Sequence, residues 1–142
     1  PMDLDIVVRS VTKRVVDPVA DVDVTVDLPD EAVRVRAGVE PVLAELLENA
    51  IEHNEPPREV WLEASIDGDL RDLLTIEIGD NGPGLPADER LVVEGGEETP
   101  LSHASSIGLW LARWAAESAG GDLTVVDADV GTTFRLAIPI SG

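Results

Sequence analysis

Three short segments hold the residue types from which a chemical site could be built. In the first, Glu45 and Asn49 stand four residues apart, with Glu48, Glu52 and His53 close by. On a helix, a carboxylate and a carboxamide one turn apart share a face. Such a pair can hold a hydrated Mg²⁺ through hard oxygen donors and can orient or deprotonate a water or hydroxyl. It can equally be a solvated helix face. The second segment is Asp80-Asn81-Gly82-Pro83-Gly84-Leu85-Pro86. Glycines there would let backbone approach a flat ligand, and an aspartate at a strand end can accept a hydrogen bond from an exocyclic amine. The same residue types make an ordinary tight turn. The third is Ser105-Ser106-Ile107-Gly108, where a helix beginning near Ser106 would offer unpaired N–H groups and a positive dipole end to a phosphate. An ordinary capped helix uses those residues too.

Other chemistries fall away. The absence of Cys removes disulfides, thiolate nucleophiles and thiolate metal sites together. His53 and His103 are the only histidines, too few for a zinc site without Cys. No Ser, His and Asp set has the context of a nucleophile elbow.

The elements that must position these segments are legible from periodicity. Leu4, Val7, Val8, Val11 and Val15 recur at helical spacing and predict a helix over 4–16. Val22, Val24, Val26 and Leu28 alternate with polar residues and predict a half-buried strand. Pro29-Asp30-Glu31 reads as a turn, and Ala32–Arg36 alternates again, so a hairpin is the economical expectation. A helix follows over 40–54, with Val39, Val42, Leu43, Leu46, Leu47, Ala50 and Ile51 as its apolar set and Pro56-Pro57 as its stop. Strands are expected near 59–67 and 73–79, then an irregular stretch over 87–105. The next helix is expected to pack through Ile107, Trp110, Leu111, Trp114, Ala115 and Ser118, with both tryptophans in the core, and to stop at Gly120-Gly121. Strands over 123–127 and 132–138 close the chain. This order predicts an α+β two-layer sandwich, one mixed sheet with helices packed on one face, in a single domain spanning 1–142.

Charge constrains the partners. The 142 residues carry 29 Asp and Glu against 10 Lys and Arg, a formal net charge of −19. At 44% hydrophobic, the chain has enough apolar material for a core, so this acidity belongs to the surface of a folded domain. Such a surface repels a phosphate backbone, which excludes a broad nucleic-acid footprint. Apolar stretches are broken by charge every few residues and no apolar leader opens the chain, so the domain is expected to be soluble and cytoplasmic, without membrane contact. Met2 lies behind Pro1, where translation does not begin, and the chain therefore reads as a piece of a longer protein. High acidity with a single lysine, Lys13, is the composition expected either of adaptation to a salt-rich cytoplasm, where a Debye length of roughly 3 Å at molar salt screens self-repulsion, or of an ordinary acidic protein, the first being the reading favoured.

The order of the segments resembles the ATP-binding domain of sensor histidine kinases, within the wider group shared with gyrase, Hsp90 and MutL ATPases. Residues 45–54, ELLENAIEHN, look like its asparagine box, Asp80–Gly84 like its D-x-G-x-G box, and Ser106–Leu109 like the end of its second glycine box. Gly131-Thr132-Thr133-Phe134 resembles its closing G-T-x-F strand. The resemblance implies a Bergerat-like fold with a lid over about 87–105. It implies ATP and Mg²⁺ as ligands, Asn49 as the Mg²⁺ ligand, and Glu45 beside the metal and the reacting phosphate. His53 falls in the asparagine box and counts with the nucleotide-binding residues. Asp80 would hold the adenine amino group, with Gly82, Gly84 and Leu85 in the loop passing the base and Thr132 supporting it through water. Ser105, Ser106, Gly108 and Leu109 would face the phosphates from the helix end.

Two departures stand out. The second glycine box commonly reads G-x-G-x-G, whereas Ala104, Ser106 and Gly108 stand at those places here. A basic residue often follows the asparagine by three positions, and Glu52 occupies that place. The phosphoacceptor histidine of the family sits on a separate dimerisation domain, and neither His53 nor His103 has its context. The resemblance thus implies a catalytic domain that presents the γ-phosphate to a histidine supplied by another domain and, through it, to a response regulator. Two alternatives stay open: a related ATPase or anti-sigma-type serine kinase with Glu45 as base, and a degenerate nucleotide-binding or interaction module.

Overall fold

The computed structural model describes residues 2–19, 21–52, 54, 57–66, 73–82, 104–126 and 131–140, with backbone only for 104–108. The elements run β1 (Met2–Asp3), α1 (Leu4–Val15), β2 (Val22–Asp27), β3 (Arg34–Val35), α2 (Val39–Glu52), β4 (Arg58–Ile66), β5 (Leu73–Asp80), α3 (Ala104–Ser118), β6 (Asp122–Val126) and β7 (Thr133–Pro139). Five strands form one mixed sheet in the order β2-β4-β5-β7-β6. Only the β2–β4 pair is parallel; the others are antiparallel.

Alternation in the strands decides the faces. Val60, Leu62 and Ala64 of β4, Leu74, Ile76 and Ile78 of β5, and Phe134, Leu136 and Ile138 of β7 are all buried. The residues between them include Glu63, exposed, and Glu77, which pairs with Arg135 across the outer face at 2.8 Å. The inner face meets the apolar stripes of α1 (Leu4, Val7, Val8, Val11, Val15) and α2 (Val39, Val42, Leu43, Leu46, Leu47, Ala50, Ile51) in one continuous core. The α+β sandwich expected from element order is therefore the observed architecture.

Two expectations are corrected. The segments over 22–28 and 32–36 do not form a hairpin. β2 lies parallel to β4, with Val24 opposite Val60, while β3 pairs antiparallel with β1, placing Met2 opposite Val35. A parallel pair needs a crossover of a dozen residues or more, and α2 lies within the connection that supplies it. Periodicity marks a strand as half-buried but carries no information about so distant a partner. The second correction concerns α3. Its buried side chains are Leu109, Ala112 and Ala116, followed by Ala119, whereas Leu111 is 50% and Trp114 60% exposed and Ser118 is exposed. Trp110 is partly buried against the core. α3 packs on both α2 and β6, and its alanine face permits closer approach than indole side chains would.

Candidate functional site

Topology gathers the motif residues at one end of the sheet. β5 and β7 are neighbours, with Gly79 opposite Thr133, so the last residue of β5 and the first residues before β7 meet at that end. Asp80 N–H donates to the carbonyl of Thr132 at 3.0 Å. Asp80 is 6% and Thr132 7% exposed. Gly131 makes this approach feasible: its φ is +74°, and a Cβ there would lie 1.8 Å from the Asp80 carbonyl oxygen. No other residue type fits without moving the strand end.

The turn after β5 folds back on its own aspartate. Gly82 N–H donates to Asp80 Oδ1 at 2.8 Å. A Cβ on Gly82 would meet that oxygen at 2.9 Å and the Asn54 carboxamide at 3.2 Å, so the glycine lets the turn close. Asn54, just beyond α2, is buried and donates through Nδ2 to Asn81 Oδ1 at 2.6 Å. Sequence reasoning quoted Asn54 and Asn81 within the two boxes but gave neither a role. The available signal was a carboxamide within each box, the last residue of the first and the second residue of the second.

Asn49, on the same helix, is 5% exposed despite its polar side chain. Glu45, one turn earlier, is half-buried, and its carboxyl titrates above the usual glutamate range. Burial is the largest cause, followed by repulsion from Glu48 and then Glu52. Its side chain also borders a groove between α2 and α3 lined by Pro41, Val42, Leu111 and Trp114. Among the described residues no group of three His, Asp or Glu side chains is placed to hold a metal by itself. The donor set is nonetheless suited to Mg²⁺: the Asn49 carboxamide oxygen and nearby carboxylate oxygens are hard ligands. A cation that keeps its waters and shares phosphate oxygens needs only one or two protein groups.

Ser105, Ser106 and Gly108 lie in the first turn of α3, which begins at Ala104 inside the stretch expected to be irregular. Leu109 is fully buried, so its side chain belongs to the core. His53, Gly84, Leu85 and residues 87–103 of the lid expected over about 87–105 fall outside the described residues. The structure thus brings together Asp80, Gly82 and Thr132 directly, and connects them to the helix bearing Asn49 through Asn54.

A sequence profile for the family described as "Histidine kinase-, DNA gyrase B-, and HSP90-like ATPase" matches residues 34–142. The chain belongs to this ATPase family. Among curated relatives, the sensor histidine kinase CitA of Klebsiella pneumoniae is 35% identical over 106 residues, 70% of this chain and 19% of that protein. The chain spans 11 to 22% of the length of the first curated relatives it matches. Among solved structures, the mycobacterial sensor histidine kinase MprB superposes with a TM-score of 0.79 at 23% identity, covering 98% of this chain and 97% of that one. Full-length ShkA in complex with AMPPNP gives a TM-score of 0.80 at 20% identity, covering 99% of this chain and 31% of that one. The fold is that of the catalytic domains of two-component sensor kinases. The matched span includes the buried polar residues Asn49, Asp80 and Thr132.

Proposed function

We propose that this chain binds Mg·ATP and presents the γ-phosphate to a histidine on a separate domain, from which a response regulator takes it. The observation that carries the reading is a buried aspartate, Asp80, held against Thr132 at the sheet end while a buried Asn49 projects from the helix packed on that sheet. An ionised Asp80 accepts a hydrogen bond from the adenine amino group and rejects a base that offers a carbonyl there. Asn49 would hold Mg²⁺, with Glu45 beside it; the metal would supply charge neutralisation to the phosphates. Phosphoryl transfer breaks the bond from the γ-phosphorus to its bridging oxygen and forms one to an imidazole nitrogen, releasing ADP. Such a step needs positioning and charge neutralisation more than covalent help from the protein. The N-terminal amides of α3 would supply further donors to the phosphates.

The family to which the chain belongs, and the ShkA structure with its bound ATP analogue, support the nucleotide. Calorimetric titration with Mg·ATP in molar KCl tests it: Asn49→Asp and Asp80→Asn each abolish the binding seen with the unaltered chain, and undiminished affinity in both would refute the reading. Cytoplasmic placement and salt adaptation are part of the same proposal. Among the described residues no helix is long and apolar enough to cross a membrane. With 29 acidic against 10 basic residues, most surface carboxylates have no cation to offset them even where Arg9, Arg14, Arg34, Arg113 and Arg135 form ion pairs. Folded far-UV circular dichroism is expected to fade on dilution from molar KCl.

The elevated proton affinity of Glu45 favours one second reading, a base acting on water or a hydroxyl. Hydrolysis of ATP by the chain alone, lost in Glu45→Gln, would mark it.

A further inference from the structure

The Asn81 carboxamide spends its hydrogen-bonding capacity on three parts of the fold at once. Its Oδ1 accepts from Asn54 Nδ2 at 2.6 Å and from Glu59 N–H at 2.9 Å. Its Nδ2 donates to the Pro57 carbonyl at 3.1 Å and approaches Glu59 Oε2 at 3.4 Å. Asn81 N–H also donates to the Glu59 carbonyl at 3.2 Å. The ladder between β4 and β5 ends with Val60 opposite Asp80, and these contacts carry the pairing one residue further by way of a side chain. Asn54 completes the connection to α2: its N–H reaches the Ile51 carbonyl at 3.3 Å, and its own carbonyl accepts from Arg58 Nε at 3.1 Å.

We propose that Asn54 and Asn81 are positioning residues that fix the distance between the two ends of the nucleotide site, the Asp80 turn and the helix bearing Asn49. This inference rests on the Mg·ATP reading. Neither carboxamide is assigned a contact with nucleotide. Asn81 is anchored at the start of β4, and through Asn54 it ties the turn that contains Asp80 and Gly82 to the end of the helix five residues beyond Asn49. A rigid ligand that engages both ends at once requires that distance to be set before it arrives, because each end alone gains little. Loss of the clasp therefore weakens ligands that span the site and leaves ligands that touch one end unchanged.

The test compares ATP with inorganic tripolyphosphate, both with Mg²⁺, in the unaltered chain and in Asn54→Ala, Asn81→Ala and the double variant. Each single change is expected to weaken ATP about tenfold, the loss of one well-placed polar link. Tripolyphosphate binding stays unchanged. The double variant is no weaker than either single one, because the two side chains act as one unit. Without nucleotide, amide exchange at Glu59 N–H and Gly82 N–H is faster in both single variants. Asn81→Asp sets a carboxylate against Glu59 and the Pro57 carbonyl and weakens ATP; adding Glu59→Gln recovers part of the loss by returning a donor to the first of these contacts. That partial rescue, with the contrast between ATP and tripolyphosphate, separates positioning from general damage to the fold. ATP affinity within twofold of the unaltered chain in both single variants, equal losses for ATP and tripolyphosphate, or additive losses in the double variant would each overturn the clasp while the nucleotide reading stands. Absence of ATP binding by the unaltered chain overturns the nucleotide reading and the positioning role with it.

Discussion

At the end of the sheet, Asp80 and Thr132 are joined backbone to backbone, Gly82 closes on the Asp80 carboxylate, and Asn81 is tied on both sides. Along α2, Glu45, Glu48 and Glu52 crowd one helix with Asn49, and the proton affinity of Glu45 is raised by burial and by its two neighbours. In the proposed site this is the base end, whose geometry is set by strand pairing and by the Gly82 and Asn81 hydrogen bonds. In the proposed site the α2 end is the phosphate end, and its carboxylates would need a cation before a polyanion could sit beside them. A site for Mg·ATP can be divided this way because adenine is recognised by fixed hydrogen bonds, whereas triphosphate is recognised by charge.

That division can be broken at the base end with the largest effect. Gly131→Ala forces a Cβ to within 1.8 Å of the Asp80 carbonyl oxygen at a φ of +74°, and should destabilise the chain by more than about 2 kcal/mol, read as a fall in the thermal midpoint. Asp80→Asn comes next. It replaces a carboxylate oxygen with an amide nitrogen at little change of shape, and should abolish the ATP binding seen in calorimetry while leaving tripolyphosphate unaffected.

Changes at the phosphate end act through charge, so their signs depend on pH. Folding raises the Glu45 pKa, which means that the protonated carboxyl is favoured by the folded state. Its stabilising contribution is fully present below the ordinary glutamate range and is lost as pH rises through the elevated value. Glu45→Gln cannot ionise and should melt a few degrees higher than the unaltered chain near pH 7, the gap closing below about pH 4. The smallest effect is expected at Trp114, which is 60% exposed: Trp114→Ala should alter stability by no more than about 0.5 kcal/mol. A larger loss would place that indole in the core after all.

Much of the fold was legible because burial leaves a local signature. The alternation in β4, β5 and β7 and the stripe on α2 identify the faces that meet, and the order of the asparagine, D-x-G and G-T-x-F segments marks where the site is proposed. What escaped was non-local. Nothing in Val22, Val24 and Val26 tells that β2 pairs in parallel with a strand beyond α2. The α3 face was misread because indoles outweigh alanines in any count of apolar size, while close packing on α2 and β6 favours Ala112 and Ala116. The Asn54–Asn81 clasp escaped for a similar reason, since carboxamides 27 residues apart show no periodicity that links them.

The most direct test of the two-ended site is titration with adenosine and with ATP, each with Mg²⁺ and with the metal chelated, in molar KCl. Adenosine engages the base end alone and should bind weakly with the same affinity in both conditions. ATP should bind more tightly than adenosine with Mg²⁺ and lose that advantage when the metal is removed. ATP binding that is equally tight without Mg²⁺, or no binding of either ligand, would contradict the account.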